Sequence, residues 1–221
     1  MQGLLHFSES WVDPLPGLRR SVGLILAVLL VECFFIWLGG QEPRISPVYL
    51  LAAARLMDLG ILTLAGPVTF RQMPSARVVK ESLGLTAVLM AGGILFLLAW
   101  RVIMGTPFLR VDRGIYSLTA IQGIVFFGNA CLVSPAVEEL FFRGILYRGM
   151  REFQGVWVST GVISLLFALI HLQFSGRALV PFVGSIIFCL AYERNKDISA
   201  PVYVHIAGNL IIFGSGWFFF H

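Results

Sequence analysis

Long apolar stretches alternate with short charged or Pro- and Gly-rich breaks along the chain. A bilayer core about 30 Å thick requires roughly 20 apolar residues in each helix that crosses it, and the pattern repeatedly supplies stretches of that length. We therefore predict an all-α fold, a multi-pass transmembrane helical bundle with about seven spans. The predicted spans are residues 22–38, 47–68, 82–100, 117–151, 156–173, 178–193 and 198–219.

The fourth stretch, residues 117–151, is too long for one straight crossing. Pro135 lies inside it, and a proline removes a backbone donor and clashes with the preceding turn, so we expect a kink there. The last turns carry Arg143, Arg148 and Arg151, and we expect them to emerge from the hydrocarbon core.

The composition agrees with lipid as the solvent: 57% of the residues are hydrophobic and only 13% are charged, with a mean hydropathy of +0.85. The net charge of +4 indicates no nucleic-acid partner, because Lys and Arg sit mostly at the ends of apolar runs, where they anchor helices to the membrane.

Residues 1–20 mix acidic, Pro and apolar positions before Arg19 and Arg20, which favours a segment at the interface. The first apolar run ends without a cleavage site and is predicted to be retained.

The distribution of Lys and Arg predicts the orientation. They are more frequent in the alternate loops on the side of the N-terminus, so the positive-inside tendency places the N-terminus in the cytoplasm. The short length and compact loops favour a prokaryotic cytoplasmic (inner) membrane.

Several polar residues and thiols are given structural interpretations. Arg55 and Asp58 stand three apart on one face of the second span and should neutralise each other. Three scattered cysteines lie inside apolar runs and are interpreted as packing residues: Cys33, Cys131 and Cys189. Two amides of the fourth span are predicted to make hydrogen bonds between helices: Gln122 and Asn129.

The first candidate catalytic residues are two adjacent carboxylates. Glu138 and Glu139 point about 100° apart on a helix, so they cannot share one partner. Glu139 precedes Arg143 by four residues, the favourable order for an ion pair within a helix. Glu138 is left without a local countercharge and is the candidate general base or acid; the alternative is that both acids lie in the headgroup region.

His171 ends the fifth apolar run and is predicted to reach the same depth as Glu138. If the fourth and fifth spans form a hairpin that turns near residues 153–155, both side chains stand roughly 24 Å from the turn. A lone histidine inside a membrane can also be a simple hydrogen-bonding residue between helices.

His205 and Asn209 are four residues apart on one face of the last span, in an otherwise apolar run. Two hydrogen-bonding side chains directed at one point inside lipid should share a partner. The alternative is a purely structural role, in which both bond to a neighbouring helix.

These residues resemble the three motifs of the CPBP family (CAAX protease and bacteriocin-processing), the glutamic-type intramembrane endopeptidases. Glu138-Glu139 with Arg143 matches EExxxR, Phe167 with His171 matches FxxxH, and His205 with Asn209 matches HxxxN, in the expected order. The resemblance covers about residues 117–215. It implies three parts: an interfacial segment at 1–20, three N-terminal spans within 21–116, and a catalytic group of spans within 117–221.

The resemblance implies an endopeptidase that cuts a protein tail near the membrane surface. The counterparts of Glu138 and His171 would activate water, and those of His205 and Asn209 would hold the oxyanion. Glu139 and Arg143 would fix the helix and orient Glu138, and Phe167 would be a further supporting residue next to the catalytic ones. We expect no cofactor, although zinc on Glu138, His171 and His205 is the competing version, with a fourth position left for water.

The expected partners are a membrane-associated protein or peptide substrate and the lipid bilayer. Other function classes stay open at this point: a proton-coupled transporter or channel, since intramembrane Glu and His also build proton relays, or a noncatalytic immunity or scaffolding protein. Neither the substrate nor the oligomeric state can be predicted from the sequence.

Overall fold

The computed structural model describes residues 17–65, 76–105, 118–175 and 179–219. Within these ranges the chain is helical, with no strand, and the predicted bundle of about seven helices is confirmed. The predicted interfacial segment lies outside the described residues, apart from residues 17–20. The helices are α1 (Leu18–Gln41), α2 (Pro47–Ala65), α3 (Ala76–Met104), α4 (Ala120–Arg151), α5 (Val156–Ser175), α6 (Leu179–Asn195) and α7 (Ser199–Phe219).

Helix length and apolar content fit a membrane protein. Among the described residues, α1 to α4 each are long and apolar enough to cross a bilayer, and α5 and α7 contain shorter apolar segments, Val156–His171 and Ser199–Phe213. Exposed Leu, Ile, Val and Phe side chains cover the outside of these helices. In water such a surface would aggregate, whereas in lipid it is the favourable outer face.

Helix α4 is continuous, but its hydrogen bonding changes around the proline. A π-helical segment (Asn129–Val133) precedes the α-helical turn Ser134–Glu139, and a second π-helical segment (Leu140–Tyr147) follows it. Pro135 has no N–H to donate, so the regular ladder cannot continue unchanged there. The wider π turns rotate the carboxylates of this turn relative to an ideal helix and occur often at functional sites.

The end of α4 is enclosed by other helices of the protein. Arg143 and Arg148 are 0% and 1% exposed, so both are buried among protein side chains and do not project from the end of the span. Neighbouring helices pack around this part of α4 and supply polar partners for Arg143. That these turns emerge from the hydrocarbon core stays a prediction.

Small side chains bring α5 and α6 together. Ser159, Ser164 and Ala168 lie on the buried face of α5, which packs along α6, and α6 in turn packs against α7. Small residues let helix backbones approach closely, which is how helices associate where lipid supplies no hydrophobic drive. Phe167 and His171 lie on the same α5 face, which directs both toward the centre of the bundle.

The polar pair of α2 is present and has a third member. Arg55 lies 3.6 Å from Asp58, as predicted, and 3.0 Å from Glu32 on α1. The sequence did not indicate Glu32, because no spacing rule links residues on different helices. This cluster fixes α1 against α2.

Two of the structural predictions need correction. Gln122 does not join helices: its side chain accepts from the backbone N–H of Thr119, and the Thr119 hydroxyl accepts from the backbone N–H of Gln122, which is a capping box at the start of α4. Cys33 is exposed on the outer face of α1 and is not a packing residue, whereas Cys131 and Cys189 are buried. Asn129 is buried in the first π-helical segment.

Candidate active site

Glu138 faces two imidazoles from two other helices. Its Oε2 lies 3.7 Å from Nε2 of His171 on α5 and 3.8 Å from Nε2 of His205 on α7. The prediction that Glu138 and His171 lie at the same depth, made from a hairpin of the fourth and fifth spans, agrees with the first of these distances. Both distances exceed a direct hydrogen bond and suit contacts made through one small bridging molecule.

The backbone of its own helix orients His171. Its Nδ1 lies 2.8 Å from the carbonyl oxygen of Phe167, one turn earlier. A carbonyl only accepts, so Nδ1 carries the proton and donates. In the neutral ring Nε2 is then an acceptor, and this is the atom that faces Glu138.

A buried carboxylate orients His205. Its Nδ1 lies 2.7 Å from Oε1 of Glu139, and NH1 of Arg143 lies 3.0 Å from the same oxygen. The predicted Glu139–Arg143 pair is therefore present, with both side chains fully buried. The pair also acquires a partner on α7 that sequence spacing could not reveal.

Asn209 has its own partner. Its Nδ2 donates to the carbonyl oxygen of Ala130, at a distance of 2.8 Å. Within the protein His205 and Asn209 have separate partners, both on α4: His205 bonds to a carboxylate, and Asn209 bonds to a backbone carbonyl in the first π-helical segment. Turns of the π type rearrange the carbonyl ladder of a helix, which makes such a contact from a neighbouring helix possible. These bonds fit the structural alternative, and a common partner supplied by a substrate stays a prediction. The second N–H of the amide is available for another acceptor.

Helix α6 contributes residues that motif spacing did not identify. NH2 of Arg143 donates to the hydroxyl of Ser185 at 2.6 Å and to its carbonyl at 3.1 Å. Phe188, one turn later, stacks on the ring of His205. The only available signal was that both residues lie on one face of an apolar helix, which does not distinguish a supporting residue from ordinary packing.

Exposure differs between the two sides of the site. The side chain of His171 is 29% exposed and that of Glu138 is 16% exposed, while that of His205 is only 6% exposed. Access to the Glu138 carboxylate is therefore on the side of His171, and His205 forms the inner wall.

The charges of the cluster do not balance without a proton. Ionised Glu138 and Glu139 carry two negative charges, and Arg143 supplies one positive charge. An unbalanced charge in a poorly solvated protein interior is costly. One additional proton on a histidine or on Glu138 makes the cluster neutral.

One carboxylate and two imidazoles are a chemically suitable donor set for zinc, and a carboxylate or carbonyl behind each imidazole is typical of zinc ligands. The geometry fits less well. Within the described ranges, no group of three His, Cys, Asp or Glu side chains is arranged so that it could hold a metal ion.

Comparison with known proteins identifies the same part of the chain. Residues 120–211 match the family model described as type II CAAX prenyl endopeptidase Rce1-like. This region contains all four candidate residues and the helices that carry them.

Two curated bacterial proteins are similar to this chain. YdiL of Bacillus subtilis (strain 168), a candidate membrane peptidase, is 26% identical over 81 residues, covering 37% of this chain and 33% of the relative. The membrane-embedded CAAX protease MroQ of Staphylococcus aureus (strain USA300) is 30% identical over 94 residues, covering 38% of this chain and 36% of the relative. The aligned part therefore spans about a third of the length of each relative. No solved structure matches.

Proposed function

The chain belongs to the CPBP family through residues 120–211, and on that premise we propose that it is an intramembrane endopeptidase that hydrolyses a peptide bond in the tail of a membrane-associated protein. The observation that carries the proposal is the 3.7 Å separation of Oε2 of Glu138 from Nε2 of His171. Both atoms are acceptors, and a single water molecule donates one O–H to each. The lone pairs of that water then point away from both residues, toward an incoming carbonyl carbon.

The chemical steps assign one role to each residue. Glu138 takes a proton as the water oxygen attacks the peptide carbonyl, and His171 keeps the water oriented. The carbonyl oxygen becomes an oxyanion that accepts hydrogen bonds from His205 and Asn209. The proton then passes to the leaving nitrogen, and the C–N bond breaks to give a carboxylic acid and an amine.

The oxyanion role requires a charged His205. Because Nδ1 donates to Glu139, Nε2 can donate only if the ring is an imidazolium. This form also supplies the positive charge that the cluster of Glu138, Glu139 and Arg143 needs for neutrality. Glu139 thus supports both the orientation and the charge of His205.

We propose that the reaction proceeds without a metal. A carboxylate and an imidazole suffice to activate water, and among the described residues no group of three His, Cys, Asp or Glu side chains is placed to hold a metal ion. The zinc-dependent version uses the same residues, so metal content distinguishes the two.

For orientation, we propose that the N-terminus is cytoplasmic in a prokaryotic inner membrane. Arg20 donates to the carbonyl of Ala65, and Arg194 pairs with Glu81, so the start of α1, the end of α2, the start of α3 and the end of α6 meet at one end of the bundle. This end also carries Arg151, which ends α4. A basic end of this kind faces the cytoplasm.

Comparison of membrane proteomes tests the proposal. Cells that produce Glu138→Gln should accumulate one or a few uncut precursors that are processed in cells with the unmodified chain. Glu152→Gln is the matched control, because Glu152 is an exposed carboxylate in the turn between α4 and α5. If the new protein termini are identical in the two variants, or if flux of an ion across liposomes depends on Glu138 without peptide products, the protease proposal is wrong.

A further inference from the structure

One face of the His205 ring is covered by an aromatic ring. Phe188 of α6 lies parallel to the imidazole, with ring centroids 4.4 Å apart and an interplanar angle of 19°. Phe188 itself is 8% exposed, so it is held in place by its surroundings. This contact lies outside the three motifs that carry the family resemblance.

The same arrangement recurs around His171. Phe167 stacks on His171 with centroids 4.2 Å apart and an angle of 26°. The guanidinium of Arg143 lies over both phenylalanines, 5.0 Å from the centroid of Phe167 and 5.2 Å from that of Phe188. The cation is therefore placed against two rings that contact the imidazoles. Phe167 stacks on His171 and also meets His205 edge-on, with centroids 5.9 Å apart and an angle of 69°, whereas Phe188 is the ring that lies flat against His205.

The hydrogen bond to Glu139 fixes only one atom of His205. A ring held at Nδ1 alone can still tilt about that bond, and Nε2 would then sweep through several directions. A flat surface against the ring fixes its plane. Since an oxyanion donor must point at one position, the plane of His205 decides whether Nε2 can serve that purpose.

We infer that Phe188 is a positioning residue that fixes the ring plane of His205 by stacking on its face. This inference rests on the proposed protease function for its catalytic consequence. The hydrogen bond to Glu139 sets where Nδ1 lies, and Phe188 sets where Nε2 points.

Kinetics of three variants test the inference. Phe188→Leu keeps the apolar volume but removes the flat face, and kcat should fall about tenfold with KM within about twofold, which corresponds to the usual strength of aromatic contacts. Phe188→Tyr should restore kcat, because the ring is kept.

Phe142→Leu is the matched control. Phe142 is a buried phenylalanine of the same aromatic cluster that contacts Phe167 and lies 5.8 Å from the guanidinium of Arg143, but among the described residues its ring contacts neither imidazole. Its loss should perturb packing to a similar degree while kcat stays near that of the unmodified chain. Equal loss of kcat in Phe188→Leu and Phe142→Leu, a change in KM alone, or failure of Phe188→Tyr to restore kcat would each overturn the inference.

Nitrogen NMR separates this inference from the protease function. With ¹⁵N-labelled histidine, and His205 assigned by its loss in His205→Gln, the ring resonances should shift or broaden in Phe188→Leu and not in Phe142→Leu. This readout needs no substrate. Unchanged resonances in both variants would refute the positioning role even if the chain is a protease, whereas a shift in an inactive chain would refute only the protease function.

Discussion

Nδ1 of His205 lies 2.7 Å from Oε1 of Glu139, and this contact joins α7 to α4 across 66 positions of sequence. The same oxygen accepts from Arg143, so the carboxylate is shared between a guanidinium and an imidazole. Glu138, its neighbour in the chain, faces the opposite side of the imidazole. The two adjacent carboxylates thus lie near different nitrogens of one ring: Glu139 near Nδ1 of His205 and Glu138 near its Nε2.

Replacing Glu139 and Arg143 with uncharged residues distinguishes their contribution to stability from that of Glu139 to catalysis. Glu139→Gln leaves the Arg143 cation without its carboxylate in a fully buried position, and loss of one partner of such a pair costs about 3 to 5 kcal/mol of unfolding free energy. Glu139→Gln combined with Arg143→Met should recover most of that stability, since no uncompensated charge is left. Thermal unfolding in detergent measures the recovery.

Activity should not recover in the double variant, because His205 still lacks the carboxylate that orients and charges it. A double variant as active as the unmodified chain would show that Glu139 serves only to neutralise Arg143. Equal melting temperatures for the single and double variants would contradict the account of the buried charge.

The sequence predicted the helices well because lipid imposes a strict pattern. The seven apolar stretches match the seven helices of the described residues within a few positions at most ends, and the Glu139–Arg143 pair follows from spacing within one helix. Contacts between helices were harder to predict from the sequence. Neither the Glu139–His205 bond nor the stacking of Phe188 has a signature in spacing, since each depends on how helices rotate against each other.

The π-helical turns explain a second limitation. Bonds from His205 and Asn209 to a neighbouring helix were the alternative to a common partner, and a helix carbonyl can accept such a bond, as that of Ala191 does from Asn195. The π-helical segment at Asn129–Val133 provides such an acceptor at Ala130, so Asn209 bonds there. Pro135 predicted irregular hydrogen bonding in this helix, but the sequence did not indicate that the irregular turns would be π-helical.

Removal of the Asn209 amide should impair both the bond to α4 and the oxyanion site. We expect Asn209→Ala to lower kcat by about 10² to 10³-fold, the usual effect of losing one oxyanion donor, and to lower stability by only about 1 kcal/mol. Asn195→Ala is the matched control, because Asn195 also donates its Nδ2 to a helix carbonyl, that of Ala191, outside the site. Similar kcat values for the two variants would show that Asn209 has only the structural role.

Metal analysis distinguishes the two versions of the reaction. Purified, active protein should contain less than stoichiometric zinc by mass spectrometry, and chelators should leave kcat unchanged, because Glu138 and His171 activate the water directly. Zinc at a 1:1 ratio that is lost together with activity, and that restores it on addition, would establish the metal version. His205→Gln gives a further check, since a zinc ligand lost there would lower the zinc content, whereas an oxyanion donor lost there would not.

The second buried charge cluster should affect stability without affecting chemistry. Glu193 on α6 is fully buried and accepts from Tyr147 at 2.9 Å, from Arg151 at 3.1 Å and 3.2 Å, and from Lys196. These bonds join the end of α4 to the end of α6, about three turns from Glu138 along α4. Glu193→Ala should therefore destabilise the protein by about 3 to 5 kcal/mol, because the buried Lys196 and the partly buried Arg151 lose their counterion. At a temperature where the variant is still folded, kcat should match that of the unmodified chain.

Glu152→Gln, an exposed change in the turn between α4 and α5, is the control and should alter neither the stability nor kcat. A melting temperature of Glu193→Ala equal to that of Glu152→Gln would show that the cluster contributes nothing to stability, and a loss of kcat in the folded variant would show that it is coupled to the site.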